Sequence, residues 1–175
     1  MKRIALLLLA AATVAAVAGA VTYVSRATRQ AGAAAAVYVT VIPPGYRDWK
    51  LISVAHEEGN LNSFAAILGN DLAFKAARDG KLPYPDGSII AALHYGHVPS
   101  DENNKVFGQK QSYVPGSPTN VQFMIKNAKK YAATGGWSYG HFGTDGKPAG
   151  ESVLKSCAPC HAMATRDAVF TRYAP

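Results

Sequence analysis

The sequence predicts an α+β fold, in which an antiparallel sheet is combined with short helices and one helix lies near the C-terminus. Short apolar runs separated by Gly, Pro and Asn turn signals predict the strands. Two cysteines and a histidine at helical spacing, within 157–161, predict the last helix. Because these runs do not fit four long amphipathic helices, a helical bundle is excluded. The 175 residues are 49% hydrophobic, which is enough for one domain with its own core.

The N-terminal residues predict an export segment. Lys2 and Arg3 precede an apolar stretch from Ile4 to Val21, which is the pattern of a signal peptide. Continued to Val24, the stretch is also long enough to span a bilayer as a retained membrane anchor. Both alternatives place the domain outside the cytoplasm, either soluble or anchored. The chain is therefore expected to have three segments: a signal peptide or anchor (1–24), a low-complexity linker (25–42) and a folded domain (43–175).

The charge of the chain does not indicate a nucleic-acid partner. The net charge is +7, but four of the cations lie within the first 29 residues. Residues 31–175 contain 14 basic and 11 acidic side chains, a net charge of +3, and the cations are scattered. Nucleic-acid sites need cations that are clustered on one surface. A mildly basic surface can instead attract an acidic redox partner protein.

Five short apolar runs in the folded part predict the strands of the sheet. They lie at residues 49–55, 63–68, 88–95, 121–125 and 137–142. Apolar residues occupy both alternating sets of the first run, so we expect that strand to be buried on both faces. The polar stretch 99–112 is expected to be a loop, and the Pro-Tyr-Pro-Asp-Gly sequence at 83–87 a turn.

Three helices are predicted from start and stop signals. Asn70 is a good N-cap for an apolar segment, and Gly80 is a stop signal. The second predicted helix is short and ends before a double glycine, whereas the third contains the distinctive residues near the C-terminus. The predicted helical residues are 72–77, 126–134 and 151–169.

The last predicted helix contains the sequence Cys-Ala-Pro-Cys-His. Cys157, Cys160 and His161 are spaced i, i+3 and i+4, so a helix places all three on one side. C-x-x-C-H is the attachment sequence of haem c, in which both thiols bind the haem as thioethers and the histidine ligates the iron. A thioredoxin-type redox pair or half of a zinc site would need a different context or two more ligands. We therefore predict one covalent haem c, with His161 as the metal ligand.

Four segments resemble the cytochrome P-460 family, which includes the cytochromes c′-beta. They are Tyr-Arg-Asp-Trp at 46–49, Pro-Asp-Gly-Ser-Ile-Ile-Ala at 85–91, Trp137, and the haem sequence with the tail that follows it, 157–173. The resemblance covers residues 45–175. It implies a periplasmic mono-haem protein with a sheet-rich fold, often a homodimer. It also implies a five-coordinate iron with one axial position open to small ligands such as NO or CO.

The resemblance implies two kinds of chemistry within this family. Members that oxidise hydroxylamine have a lysine cross-linked to the haem and a distal carboxylate; aligned by eye, Ala92 and Gln122 occupy those positions here. Alanine has no amine, and glutamine cannot accept a proton at neutral pH. We therefore expect a gas-binding cytochrome without catalysis. The alternatives are an enzyme acting on hydroxylamine or peroxide, and an electron carrier with a second strong axial ligand.

Two further residues are candidates for the haem site. The strand period of two places Ile90 and His94 on the same face as Ala92, so His94 is a candidate distal ligand or hydrogen-bond donor. Its alternative role is packing within the sheet. Arg172 is a candidate partner for a haem propionate, or else a member of a surface salt bridge. His141 is expected at the surface because it lies beside a Gly-Thr-Asp-Gly loop.

Overall fold

The computed structural model describes residues 38–174. The predicted export segment and most of the predicted linker lie outside the described residues, so both stay predictions. No helix within residues 38–174 is long and apolar enough to cross a membrane.

A single antiparallel sheet organises the described part of the chain. Each strand pairs with the next one in sequence, so the spatial order equals the chain order. Each connection returns the chain to the position beside the strand that it has just left, so neighbouring strands run antiparallel. This arrangement confirms the predicted α+β fold with an antiparallel sheet. The five strands are β1 (Lys50–Glu57), β2 (Ser63–Gly69), β3 (Ile89–Pro99), β4 (Tyr113–Lys126) and β5 (Trp137–Gly143).

Three α-helices and two 3₁₀ turns join or follow the strands. The first helix begins as predicted, because the Asn70 side chain accepts a hydrogen bond from the Ala73 N–H at 3.0 Å. The α-helices are α1 (Asp71–Arg78), α2 (Asp101–Phe107) and α3 (Glu151–His161), and the 3₁₀ turns are Tyr46–Asp48 and Ala132–Thr134.

Two predictions for the middle of the chain are wrong. The stretch 99–112 contains helix α2, for which the Ser100 hydroxyl accepts a hydrogen bond from the Asn103 N–H at 3.4 Å. The stretch 126–134 is not an α-helix, because β4 continues through Lys126 and turns follow. Lys126 pairs with Trp137 of β5 instead of starting a helix, and the Asp86 carboxylate accepts a hydrogen bond from the Ala128 N–H at 2.7 Å in the turn that follows.

Two further differences concern the edge of the sheet and the last helix. β1 is an edge strand with Val54 68% exposed and Ile52 1% exposed, so it is not buried on both faces. α3 ends at His161 instead of continuing to residue 169. The chain turns beyond it, and Asp167 and Ala168 adopt positive φ angles of 53° and 61°, which no α-helix accommodates.

Each face of the sheet has its own apolar layer. Phe123 and Phe142 lie in the layer on one face, with their ring centroids 5.7 Å apart. Val39 covers this layer and donates its N–H to the Tyr139 carbonyl at 2.9 Å, although it falls in the predicted linker. The opposite face packs against the alanines of α1 and also forms one wall of a cavity. The cavity therefore lies on the face opposite to Val39.

Candidate functional site

A cavity of about 470 Å³ lies between the sheet and the segment that begins with α3. This volume is in the range of small-molecule and cofactor sites. The strands contribute side chains that share one face because the period of a strand is two. We call these residues the sheet wall: Ile67, Ile90, Ala92, His94, Gln122, Met124, Tyr139 and His141. We call the residues opposite the histidine wall: Cys157, His161, Val169, Phe170 and Thr171.

His161, the last residue of α3, has one of its ring nitrogens occupied. Nδ1 lies 2.8 Å from the Ala168 carbonyl oxygen, and because a carbonyl only accepts, Nδ1 carries the hydrogen. Nε2 is then the nitrogen with a free lone pair, which is what a metal ligand requires. Burial lowers the pKa of His161, which further favours the neutral ring. The rings of Tyr139 and Phe170 flank the imidazole, with centroids 5.0 and 5.2 Å away.

The two cysteines stand one helical turn apart and are both free thiols. Cys157 is half-buried and lines the cavity, whereas Cys160 is exposed and is not among the lining residues. Burial raises the pKa of the Cys157 thiol. Helix α3 thus brings one thiol and the His161 imidazole to the cavity, with the second thiol beside them on the outer surface.

The Tyr139 hydroxyl provides an independent test of whether the cavity suits a bound group. It is buried, it belongs to a residue that lines the cavity, and it has no hydrogen-bond partner within residues 38–174. Burial raises the pKa of Tyr139 to about 12. A buried polar group without a partner costs about 1–3 kcal/mol. A polar bound group would satisfy this hydroxyl, so two thiols, a neutral imidazole and an unsatisfied hydroxyl fit a haem c.

The sheet wall brings together three residues that the sequence singled out. Ala92 and Gln122 are directly opposite each other in the β3–β4 register, and both line the cavity. The Gln122 amide donates to Asn120 Oδ1 at 3.1 Å. His94 lines the same wall, and its Nδ1 lies 3.7 Å from Glu57 Oε2. Burial lowers the pKa of His94, which favours its neutral form.

Comparison with family models assigns residues 43–171 to cytochrome P460. The chain belongs to the cytochrome P460 family. The resemblance noted from the sequence is therefore confirmed, and membership of this family implies a haem cytochrome. A search of curated proteins finds no match to this chain.

The prediction that His141 lies at the surface of this cytochrome P460 is wrong. His141 is half-buried, lines the cavity and pairs with Gln122 in the β4–β5 register. Burial lowers its pKa. The signal was present in the sequence, because Trp137, Tyr139 and His141 alternate along one strand and share a face.

The structure does not bring Arg172 to the cavity. Arg172 is exposed and is not among the lining residues, and the described lining of this cytochrome P460 includes no lysine. Lys126 lies on the same side of β4 as Gln122, but its Nζ contacts Asp167 Oδ1 at 2.7 Å. Sequence reasoning missed this pair because its members are 41 positions apart.

Proposed function

We propose that this protein is a periplasmic mono-haem c cytochrome that binds NO or CO and does not oxidise hydroxylamine. The proposal is supported most directly by Ala92 and Gln122, which are paired neighbours on strands β3 and β4 of the sheet wall. They stand at the positions where the resemblance implies a lysine and a carboxylate. A haem c bound here would supply an iron that can bind a diatomic ligand. Alanine has no amine with which to form the cross-link, and glutamine cannot accept a proton at neutral pH.

Cys157, Cys160 and His161 are proposed to hold the haem. The cysteine thiols would bind the haem as thioethers, and Nε2 of His161 would ligate the iron, because Nδ1 is hydrogen-bonded to the Ala168 carbonyl. Tyr139 is available to donate its hydroxyl hydrogen to a polar group of the haem, since it has no other partner in the described part of the chain.

The sheet wall supports the binding of a neutral ligand. Ile67, Ile90 and Ala92 present apolar side chains to the cavity, which exclude water and do not attract anions. Gln122 and the neutral His94 can each donate a hydrogen bond to a ligand. Gln122, at the position where the resemblance implies a carboxylate, cannot remove a proton from a ligand at neutral pH. This combination favours binding of NO or CO over oxidation of a nitrogen substrate.

A second candidate function is an enzyme acting on hydroxylamine or peroxide. It is favoured by the two histidines of the sheet wall, His94 and His141, together with Glu57 at 3.7 Å from His94. Histidine is the most frequent acid–base group in catalysis, and a neighbouring carboxylate can orient it.

The experiment that separates the two candidates combines NO binding with turnover. Reduced holoprotein is titrated with NO and followed by optical spectroscopy, and the ferric protein is incubated with hydroxylamine and an artificial electron acceptor. Saturable NO binding without acceptor reduction supports the proposal. Multiple turnovers of hydroxylamine contradict it and favour the enzyme.

Location, assembly and partners also remain part of the proposal. We propose an exported protein that is a homodimer and exchanges electrons with a partner protein. Mass spectrometry of the mature chain from periplasmic and membrane fractions distinguishes a cleaved signal peptide from a retained anchor. Light scattering of the purified protein measures the oligomeric state, and a monomer would refute the dimer.

A further inference from the structure

A nearly buried ion pair lies behind the histidine wall. Nζ of Lys126 is 2.7 Å from Oδ1 of Asp167, and the two side chains are 5% and 14% exposed. Nζ also donates to the Gly135 carbonyl at 3.3 Å and lies 4.9 Å from the centroid of the Trp137 ring. Charges removed from water are tolerated only with such partners, so this pair is fixed in its surroundings. Neither residue lines the cavity.

Asp167 is held by more than its ion pair. Its second carboxylate oxygen accepts a hydrogen bond from the Tyr84 N–H at 2.8 Å. Its backbone carbonyl accepts one from the Trp137 indole N–H, also at 2.8 Å. Trp137 is fully buried, so the indole is a rigid donor. Both ends of Asp167 are therefore fixed by groups that belong to other parts of the chain.

These contacts hold a turn that is unfavourable by itself. Asp167 and Ala168 have φ angles of 53° and 61°, in the left-handed region that non-glycine residues seldom adopt in succession. Such a conformation persists where the surrounding structure over-determines it. This turn places the Ala168 carbonyl oxygen 2.8 Å from His161 Nδ1.

We propose that Lys126, Asp167 and Trp137 are positioning residues for the axial ligand. They hold the turn at 167–168, and the turn presents the Ala168 carbonyl to His161. An acceptor at Nδ1 fixes the tautomer and ring orientation of a ligating histidine and raises its basicity. The ion pair would thus set how strongly His161 donates electrons to a bound haem iron, although neither charged side chain lines the cavity. The inference rests on the proposed ligation of haem by His161.

The test uses holoprotein variants that weaken the support for the turn and leave His161 in place. Asp167→Asn retains a residue that tolerates positive φ and an acceptor for the Tyr84 N–H, but removes the charge. Lys126→Met retains the aliphatic stem. The double variant Lys126→Met/Asp167→Asn removes both charges and leaves no unpaired charge behind. The matched control is Lys155→Met, which removes an exposed ion pair with Glu151 from helix α3 itself.

Two measurements read the axial bond directly. Resonance Raman spectroscopy of the reduced protein gives the iron–histidine stretching frequency, and a redox titration gives the midpoint potential. We expect both single variants and the double variant to lower the stretching frequency and to raise the potential, because His161 becomes a weaker donor. Lys155→Met should leave both values at those of the wild type.

The outcomes separate this inference from the proposed function. Wild-type frequency and potential in all three variants would overturn the positioning role, even where the ligation by His161 stands. The ligation itself is checked with His161→Ala. If that variant keeps the wild-type axial spectrum, His161 is not the ligand, and both proposals fall. A shift confined to the variants at 126 and 167 supports the inference.

Discussion

The two walls of the cavity are built in different ways. The histidine wall comes from one continuous stretch of chain, residues 157–171, whereas the sheet wall is assembled from strands β2 to β5. The side-chain spacing of one helix specifies the first wall, and the register between neighbouring strands specifies the second. Site residues that share one helix can be predicted from their spacing in the sequence. Site residues that are brought together by strand register can be predicted only where the alternation along each strand is recognised.

The walls also differ in how completely their polar groups are paired. On the histidine wall, His161 is bonded to Ala168, and the turn behind it is held by the Lys126–Asp167 pair. On the sheet wall, the Tyr139 hydroxyl has no partner among the residues that the structure describes, and His94 is 3.7 Å from Glu57. A wall whose imidazole is held by a hydrogen bond suits a fixed metal ligand, and a wall with an unpaired buried hydroxyl suits a face that meets a bound group.

The largest expected effect is on the histidine wall. His161→Ala should abolish the native axial ligation and leave the thioethers intact, because the variant retains both cysteines. The optical spectrum of the reduced protein measures the ligation, and the mass of the denatured chain measures the covalent haem. The control is His97→Ala, which alters a histidine that stacks on His56 outside the cavity. An unchanged spectrum in His161→Ala would contradict the assignment.

The second-largest effect is expected on stability, when the buried Lys126–Asp167 ion pair is broken. Lys126→Met should lower the free energy of unfolding by about 3–5 kcal/mol, because it leaves the Asp167 carboxylate largely buried without its partner. Guanidinium unfolding of the holoprotein, followed by circular dichroism, measures this loss. Lys155→Met removes an exposed pair and should leave the unfolding midpoint unchanged. Equal effects of the two substitutions would show that burial of the Lys126–Asp167 pair does not determine its contribution to the free energy of unfolding.

A smaller effect is expected on the sheet wall. Ala92→Phe should weaken CO binding by about tenfold, since about 1.4 kcal/mol of overpacking in the cavity corresponds to that factor. The axial ligation by His161 should persist, because the substitution lies on the opposite wall. CO titration of the reduced protein measures the affinity. Val54→Phe, on an exposed position of β1, is the control. Wild-type affinity in Ala92→Phe would mean that the ligand binds away from Ala92.

The smallest effect concerns pH. Burial lowers the pKa of His94 and of His141 below the ordinary value of 6.5, so the unfolded chain takes up protons more readily than the folded one. Stability should therefore decrease as the pH falls below 6.5, by at most about 1.4 kcal/mol per unit for each histidine. Unfolding midpoints measured between pH 5 and 8 test this. His94→Gln should reduce the slope, and an unchanged slope would contradict the burial of His94 as its cause.

The sequence predicted the parts of the fold that rest on local signals. Asn70 marked the start of α1, and the spacing of Cys157, Cys160 and His161 marked α3. The helix expected at 126–134 was wrong because β4 extends to Lys126, which pairs with Trp137 of β5. Helix propensity carries no information about such a tertiary partner.

The same distinction applies to the site. His94 was correctly placed on the face of Ala92 by the alternation along one strand, and His141 was missed because its neighbouring loop was given more weight. The pairing of Lys126 with Asp167 depends on how β4 and the turn after α3 meet in space. No pattern in either segment alone indicates that contact.

We infer that the sheet wall leaves the position opposite His161 open to a ligand. Resonance Raman spectroscopy of the ferric and reduced holoprotein, without added ligand, measures the coordination number through the spin-state marker bands. We expect a five-coordinate, high-spin haem in both oxidation states. A six-coordinate, low-spin haem would contradict it. In that case His94 or Met124 from the sheet wall would be the first residue to test as the second axial ligand, and electron transfer would replace gas binding as the function.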